Sequence, residues 1–208
     1  MQPIISDPAQ IEKKSFEIIE GLLKDKGLRM PEKDVVIRVV HATADPDFAD
    51  LLVFSDGAVN AGITALRSKC NIIADVNMLK AGITKNRPGG REAFCFIADP
   101  MAAASAKKSG STRAVAAMRM AASIGHMDGA IVAVGNAPTA LYEVMRLVME
   151  DGVRPALIVG VPVGFVGAAE SKDELMGLSG IPFITNKGKK GGSSVAASII
   201  NAIVKLAV

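Results

Sequence analysis

Two histidines and one basic, glycine-rich segment hold most of the chemistry this chain offers. His41 lies in IRVVHATAD, three residues after Arg38 and four before Asp45. On a helix that spacing sets all three along one side. An imidazole titrates near neutral pH and can both give and recover a proton, so His41 is a candidate acid–base group. An exposed charged stripe on a solvated helix has the same spacing, and both readings stand on these residues alone. His126, in SIGHMDG, sits where a helix should end, a position at which histidine commonly caps. The run from Lys187 to Ser194, KGKKGGSS, joins three lysines to glycines and to the start of a helix. Glycines let a ligand approach the backbone, and a helix N-terminus offers free N–H groups, so an anion should bind there. A solvated basic turn capped by Ser193 is the alternative.

Other chemistries lack their residues. Gly160, Gly164 and Gly167 do not space as a dinucleotide fingerprint, and the lysine-rich segment does not end as a P-loop. No G-x-S-x-G elbow occurs. Two histidines cannot build a three-histidine zinc centre, and Cys70 and Cys95 have no C-x-x-C spacing. The two thiols read as a reduced pair in a cytoplasmic protein, since the opening MQPIISDPAQIEKKSF has no basic start followed by an apolar run. A net charge of +3 and 4% aromatic residues with no Trp speak against a nucleic-acid partner. The mean hydropathy of +0.33 raises the question of a membrane span. The apolar run Ala156–Ala169 is broken by Gly160, Pro162, Gly164 and Gly167, so no membrane association is expected.

The elements that must position these residues follow from the hydrophobic pattern. The 208 residues suit one domain, 1–208. Asp7 and Pro8 open a helix to about Lys26, in which Ile11, Ile18, Leu22 and Leu23 recur at helical spacing. Ser15, four after Ile11 and three before Ile18, should lie on its buried side. A second helix, Pro31 to about Ala44, carries Arg38 and His41; its VVIRVV core could also be a strand by propensity. From Ser55 helices alternate with five apolar runs: Asn71–Asp75, Ala93–Ala98, Ala130–Gly135, Ala156–Gly160 and Pro182–Thr185. Runs such as IVAV and ALIVG lack alternation, as expected of strands covered on both faces. The pattern predicts an α/β fold, a three-layer α/β/α sandwich with a largely parallel central sheet. Ligands then bind beyond the carboxyl ends of the strands.

The strings RVVHATAD (Arg38–Asp45), VGNAPTAL (Val134–Leu141), GVPVGFVGAAESKDEL (Gly160–Leu175) and PFITNKGKKGGSS (Pro182–Ser194) closely resemble the precorrin-8X methylmutase family, also called cobalt-precorrin-8 methylmutase. DPAQIEKKSF near the start and GSTRAVAA (Gly110–Ala117) extend the likeness almost end to end. The resemblance implies an isomerase of vitamin B12 biosynthesis that moves a methyl group from C11 to C12 of a corrin-type tetrapyrrole. It implies a homodimer and no cofactor beyond the substrate. By the same resemblance His41 is the proton donor and acceptor, and Ser15 and Arg38 contact the substrate. Arg113, Lys190 and Ser193 are further candidate contacts for its carboxylates, and Asp45 either orients His41 or is a plain helix-end carboxylate. The residues fit such a ligand: a flat, largely apolar ring rimmed by carboxylates suits a glycine-rich, aromatic-poor pocket with separate cationic groups. Overall similarity points to the cobalt complex rather than the metal-free ring as substrate. A non-catalytic corrin carrier and an unrelated anion-binding sugar-phosphate isomerase are the competing readings.

Overall fold

The computed structural model describes residues 6–85 and 93–208. Among them, six strands form one sheet: β1 (Leu52–Phe54), β2 (Ile72–Ala74), β3 (Ala93–Phe94), β4 (Ile131–Val134), β5 (Leu157–Gly160) and β6 (Phe183–Asn186). Their order is β1-β6-β5-β4-β2-β3. All neighbours run parallel except β1, which pairs antiparallel with β6. Strands β2, β4, β5 and β6 are buried along their whole length, which explains the unbroken apolar text of β2, β4 and β5; β6 instead buries Thr185 and Asn186 at its end. The expected sandwich is thus present.

Successive strand residues serve opposite faces. Ile131, Ala133, Leu157 and Val159 face a layer made by α4 (Ala58–Arg67), α5 (Asn77–Gly82) and α10 (Ser193–Ala207). Val132, Val134 and Ile158 face α7 (Arg113–Ser123), α8 (Pro138–Met149) and α9 (Ala168–Met176), with α6 (Pro100–Ser109) packed on α7. Helix α10 is buried nearly throughout because it is covered twice, by the sheet beneath and by α2 (Glu32–Thr43) above. Its Ile199, Ile200 and Ile203 are fully enclosed, each worth about 1.5–3 kcal/mol of burial. Helix α1 (Pro8–Leu23) lies in turn on α2, so the first two helices form an extra layer outside the sandwich.

Two local expectations change. The inward stripe of α1 is Phe16, Ile19 and Leu23, whereas Ile11, Ile18 and Leu22 are 47%, 56% and 60% exposed. A helix resting on one neighbour needs only a narrow apolar seam, and α1 carries two stripes. Strand β1 and the short α3 (Phe48–Leu51) have no periodicity to betray them. Helix α9 starts at Ala168, inside the GVPVGFVGAAESKDEL segment, launched by Gly167 in the left-handed region at φ 75°.

Candidate active site

Helix α2 begins after Pro31 with Glu32 and Asp34 in its first turn, favourable to its dipole, and ends at Ala44 in the left-handed region. It runs antiparallel to α10, so Asp34 and Arg38 lie beside Ala202 and Lys205, and the residues after α2 reach the loop before α10. His41, in the last turn of α2, is therefore close to the carboxyl rim of the sheet. Its Nδ1 shares a 2.8 Å hydrogen bond with the Ser15 hydroxyl on α1. The Phe16 ring meets the imidazole edge-on at 5.1 Å and 88°, so two residues of α1 fix both the position and the plane of His41. Nε2 has no hydrogen bond among the described residues, which leaves it for a ligand. Ser15 is half-buried on the inward side of α1, as expected, though with different apolar neighbours.

Phe16 is the hub of this cluster. The Arg38 guanidinium stands 4.9 Å from its ring centre and the Lys205 ammonium 5.6 Å from it. Arg38 also donates to Glu12 Oε1 at 2.9 Å, leaving its other N–H groups for a second anion. Phe16, Glu12 and Lys205 are absent from the expected set. Phe16 adjoins Ser15 in sequence, but Lys205 arrives from the far end of the chain and no local signal marks it. Beside Arg38 lie two small depressions of about 270 Å³ and 450 Å³, the latter reaching Thr84 and Asn201. Another hollow, about 620 Å³ between Met145, Arg154 and Ile181, is at the opposite, amino end of the strands and contains none of these groups.

The rim itself is closed at one point and open at another. Between β2 and β4, where the strand order reverses, a ligand anion would be expected. There the buried Asp75 carboxylate accepts from the backbone N–H groups of Gly135, Asn136 and Ala137 at 3.1, 2.8 and 2.9 Å. Burial raises the Asp75 carboxyl above its usual range, and the three N–H groups act in the opposite direction. The chain thus fills this anion nest with its own side chain. At β6 the loop Lys187–Gly192 leads into α10, whose first turn has no side-chain cap. Gly192, not Ser193, is the residue before that helix. Ser193 is its first residue and lies so close to Gly135 that a Cβ there would meet the Ser193 Cα at 2.9 Å.

Lys190 donates to Asp45 Oδ2 at 2.6 Å and to Asp47 Oδ2 at 2.8 Å, tying the loop to the end of α2. The Lys190 hydrogen bond holds the Asp45 carboxyl below its usual range. Asp45 is therefore not the orienter of His41: the left-handed turn at Ala44 carries it off the helix side that it would otherwise share, and Ser15 takes the orienting position. Arg113 opens α7, where Thr112 bonds Thr139 at 3.0 Å, so it belongs to the same rim but across the sheet from His41. Its side chain is exposed and makes no ion pair among the described residues. His126 ends the turn after α7, its backbone N–H donating to Ala121 O at 3.0 Å and its ring against Phe94, which is the structural role expected of it. The described residues hold no cluster of three metal-ligating side chains, and no helix among them is long and apolar enough to cross a membrane.

Comparison with known proteins bears on the same arrangement. The family model described as precorrin-8X methylmutase matches residues 10–206. A cobalt-precorrin-8 methylmutase of Methanocaldococcus jannaschii is 47% identical, with 100% of this chain and 98% of the relative covered. One from Priestia megaterium is 44% identical over 99% and 91% of the two chains. A precorrin-8X methylmutase of Sinorhizobium sp. is 37% identical over 97% and 96%. Among solved structures, precorrin-8X methylmutase from Thermus thermophilus superposes with a TM-score of 0.90 at 40% identity, covering 96% of both chains. A family model over residues 10–206 and relatives of 37–47% identity covered almost end to end establish that the chain belongs to the precorrin-8X methylmutase family.

Proposed function

We propose that this protein is the isomerase that moves the C11 methyl group of cobalt-precorrin-8 to C12 in vitamin B12 biosynthesis, with His41 as the proton donor and acceptor. The observation that carries the assignment of His41 is its 2.8 Å bond to Ser15. With Nδ1 engaged, Nε2 is the nitrogen that presents or accepts the mobile proton. Protonating the conjugated macrocycle draws electron density from C11, the C11–methyl bond breaks as the C12–methyl bond forms, and the proton then returns to the imidazole. No proton is gained or lost overall, which suits an imidazole, a group that can both give a proton and take it back. Arg38 and Lys205, gathered around Phe16, supply cationic partners for the acetate and propionate arms. Ser193 and the loop at Lys190 serve other arms farther along the rim, and Arg113 serves one from across the sheet.

The cobalt complex is favoured because the relatives at 47% and 44% identity are named for it, while the proteins named for the metal-free ring stand at 37% and, for the solved Thermus thermophilus structure, 40%. The protein acts as a homodimer. The exposed stripe Ile11, Ile18 and Leu22 runs along the helix that holds Ser15, and the depressions beside Arg38 are too small for a macrocycle within one chain. A second copy covering that stripe would bury the apolar surface and deepen the site. The protein works in the cytoplasm, where half-buried thiols such as Cys70 and Cys95 are kept reduced.

The test is incubation with cobalt-precorrin-8 and, separately, with precorrin-8X, followed by the absorption change of the conjugated system. Conversion of the cobalt complex with the higher kcat/KM supports the assignment. Binding of both without conversion identifies a carrier instead.

A further inference from the structure

Lys172 is the largest fully buried side chain among the described residues, and nothing in the proton-transfer chemistry calls for it. It lies in the middle of α9 with an exposure of 0% and makes no ion pair with any described carboxylate. Its Nζ instead donates to the Lys190 carbonyl at 2.6 Å and, weakly, to Asn186 Oδ1 at 3.4 Å. Asn186, the last residue of β6 and also fully buried, donates from Nδ2 to the carbonyls of Lys187 at 3.0 Å and Lys190 at 2.8 Å. Two buried side chains thus converge on one carbonyl of an otherwise exposed loop. A buried ammonium is costly unless its protons are all taken up, so its retention needs a use.

The geometry of the loop shows what is being held. Gly192 N donates to Val161 O at 2.8 Å and Gly164 N to Lys189 O at 3.1 Å, so two glycine loops are sewn together above α9. Gly191, at φ 148°, passes so close to Val161 that a Cβ would strike its carbonyl. The Lys187 and Lys190 carbonyls are drawn inward to Asn186 and Lys172, and the Lys189 carbonyl is held by Gly164. The N–H groups of Lys189, Lys190 and Gly191 have no acceptor among the described residues, and the first turn of α10 follows directly. Donors lined up with a helix dipole make a carboxylate site only while the peptide planes keep this orientation. Burial lowers the Lys172 ammonium to a pKa of about 8, so near neutrality it stays charged and its field also favours an anion above it.

We propose that Lys172, with Asn186, is a positioning residue for substrate binding: by holding the Lys190 carbonyl inward it turns the N–H groups of the 187–192 loop towards a substrate carboxylate, while the Lys190 side chain anchors the same loop to Asp45 and Asp47. The inference rests on the reading of that loop as a carboxylate contact. Lys172 touches no substrate, so it contributes to binding and not to the methyl shift.

The experiment is a double-mutant cycle of Lys172→Met and Lys190→Ala in the full chain, read as KM and kcat on cobalt-precorrin-8. Lys172→Met should raise KM at least tenfold and change kcat less than threefold. Lys190→Ala should raise KM in the wild-type background and hardly at all in the Lys172→Met background, because the loop is already misplaced. A structural role alone would instead give additive effects, or a loss in kcat with KM unchanged, and either result overturns the proposal. If Lys190→Ala leaves KM unchanged in the wild type, the loop is not a substrate contact and both readings fall, whereas a KM effect of Lys190→Ala without one from Lys172→Met removes only the positioning role. Should Lys172→Met not fold, Asn186→Ala, which removes the Nδ2 donors but keeps the lysine, must show the same rise in KM for the proposal to stand.

Discussion

Lys172→Met also gives a stability prediction whose sign and size follow from the structure. Burial holds the ammonium at a pKa of about 8 instead of the ordinary 10.5, with the nearby Asp173 opposing. Between those two values the unfolded chain binds a proton that the folded chain has shed, so wild-type stability should rise with pH across that window. Below pH 8 both states are protonated and the full cost of the buried charge is present. At roughly 1.4 kcal/mol for each pH unit, that cost is about 3 kcal/mol, of which about 2 kcal/mol should be relieved between about pH 7 and pH 9.5. Groups common to both proteins contribute equally to wild type and to a Lys172→Met variant. Urea unfolding of both proteins at several pH values isolates the contribution. The stability difference, wild type minus variant, should move in favour of wild type by about 2 kcal/mol over this range. A difference that stays flat, or moves the other way, would show that the ammonium is not held in a desolvated site.

Further outcomes follow from single contacts. Ser15→Ala removes the partner of His41 Nδ1, a bond worth about 0.5–1.5 kcal/mol, so kcat should fall roughly three- to tenfold with the melting temperature little changed. Glu143 is buried; burial alone would raise its carboxyl, but the hydrogen bonds from Arg119 and Arg146 at 2.7–3.0 Å hold it below its usual range. Its stabilisation is thus present above the unfolded carboxylate pKa and lost as pH falls through the lower folded value; Glu143→Gln should cost about 1–3 kcal/mol near neutral pH, checked by urea unfolding, with a smaller difference in acid. Asp75→Asn puts an amide where three N–H groups need acceptors and should destabilise by about 2–4 kcal/mol, seen as a fall in the thermal midpoint. Ile18→Glu on the exposed stripe of α1 should shift light scattering from twice 21.6 kDa towards a single chain; an unchanged dimer would place the interface elsewhere.

The sheet was legible because its strands are buried on both faces and therefore read as uninterrupted apolar runs. Strand β1 was not, since three residues at an antiparallel edge, held by Ser55 N on Phe183 O, leave no period to count. The helical spacing of Arg38 and His41 was correctly read, yet extending it to Asp45 failed because a single left-handed residue, Ala44, ends the helix between them. Ser15 and His41 could be joined only through resemblance: they are 26 residues apart, and the hydrogen bond between them depends on how α1 crosses α2. Lys205 and Lys172 were illegible for the same reason in stronger form. A lysine near the end of α10 looks solvated, and one between Ser171 and Asp173 looks like an ordinary exposed helix residue, until the fold covers it.

The central claim is that His41 moves the proton, and the most direct measurement is the single-turnover rate of His41→Asn on cobalt-precorrin-8. Asparagine keeps the approximate shape of the site and a polar side chain near Ser15, but has no group that titrates near neutrality. The rate should drop by about 10²–10⁴, the usual contribution of general acid–base catalysis, while the affinity for the methyl-shifted product stays within a few-fold of wild type. A His41→Asn protein that converts bound substrate at close to the wild-type rate would contradict the account, and the proton would have to come from elsewhere.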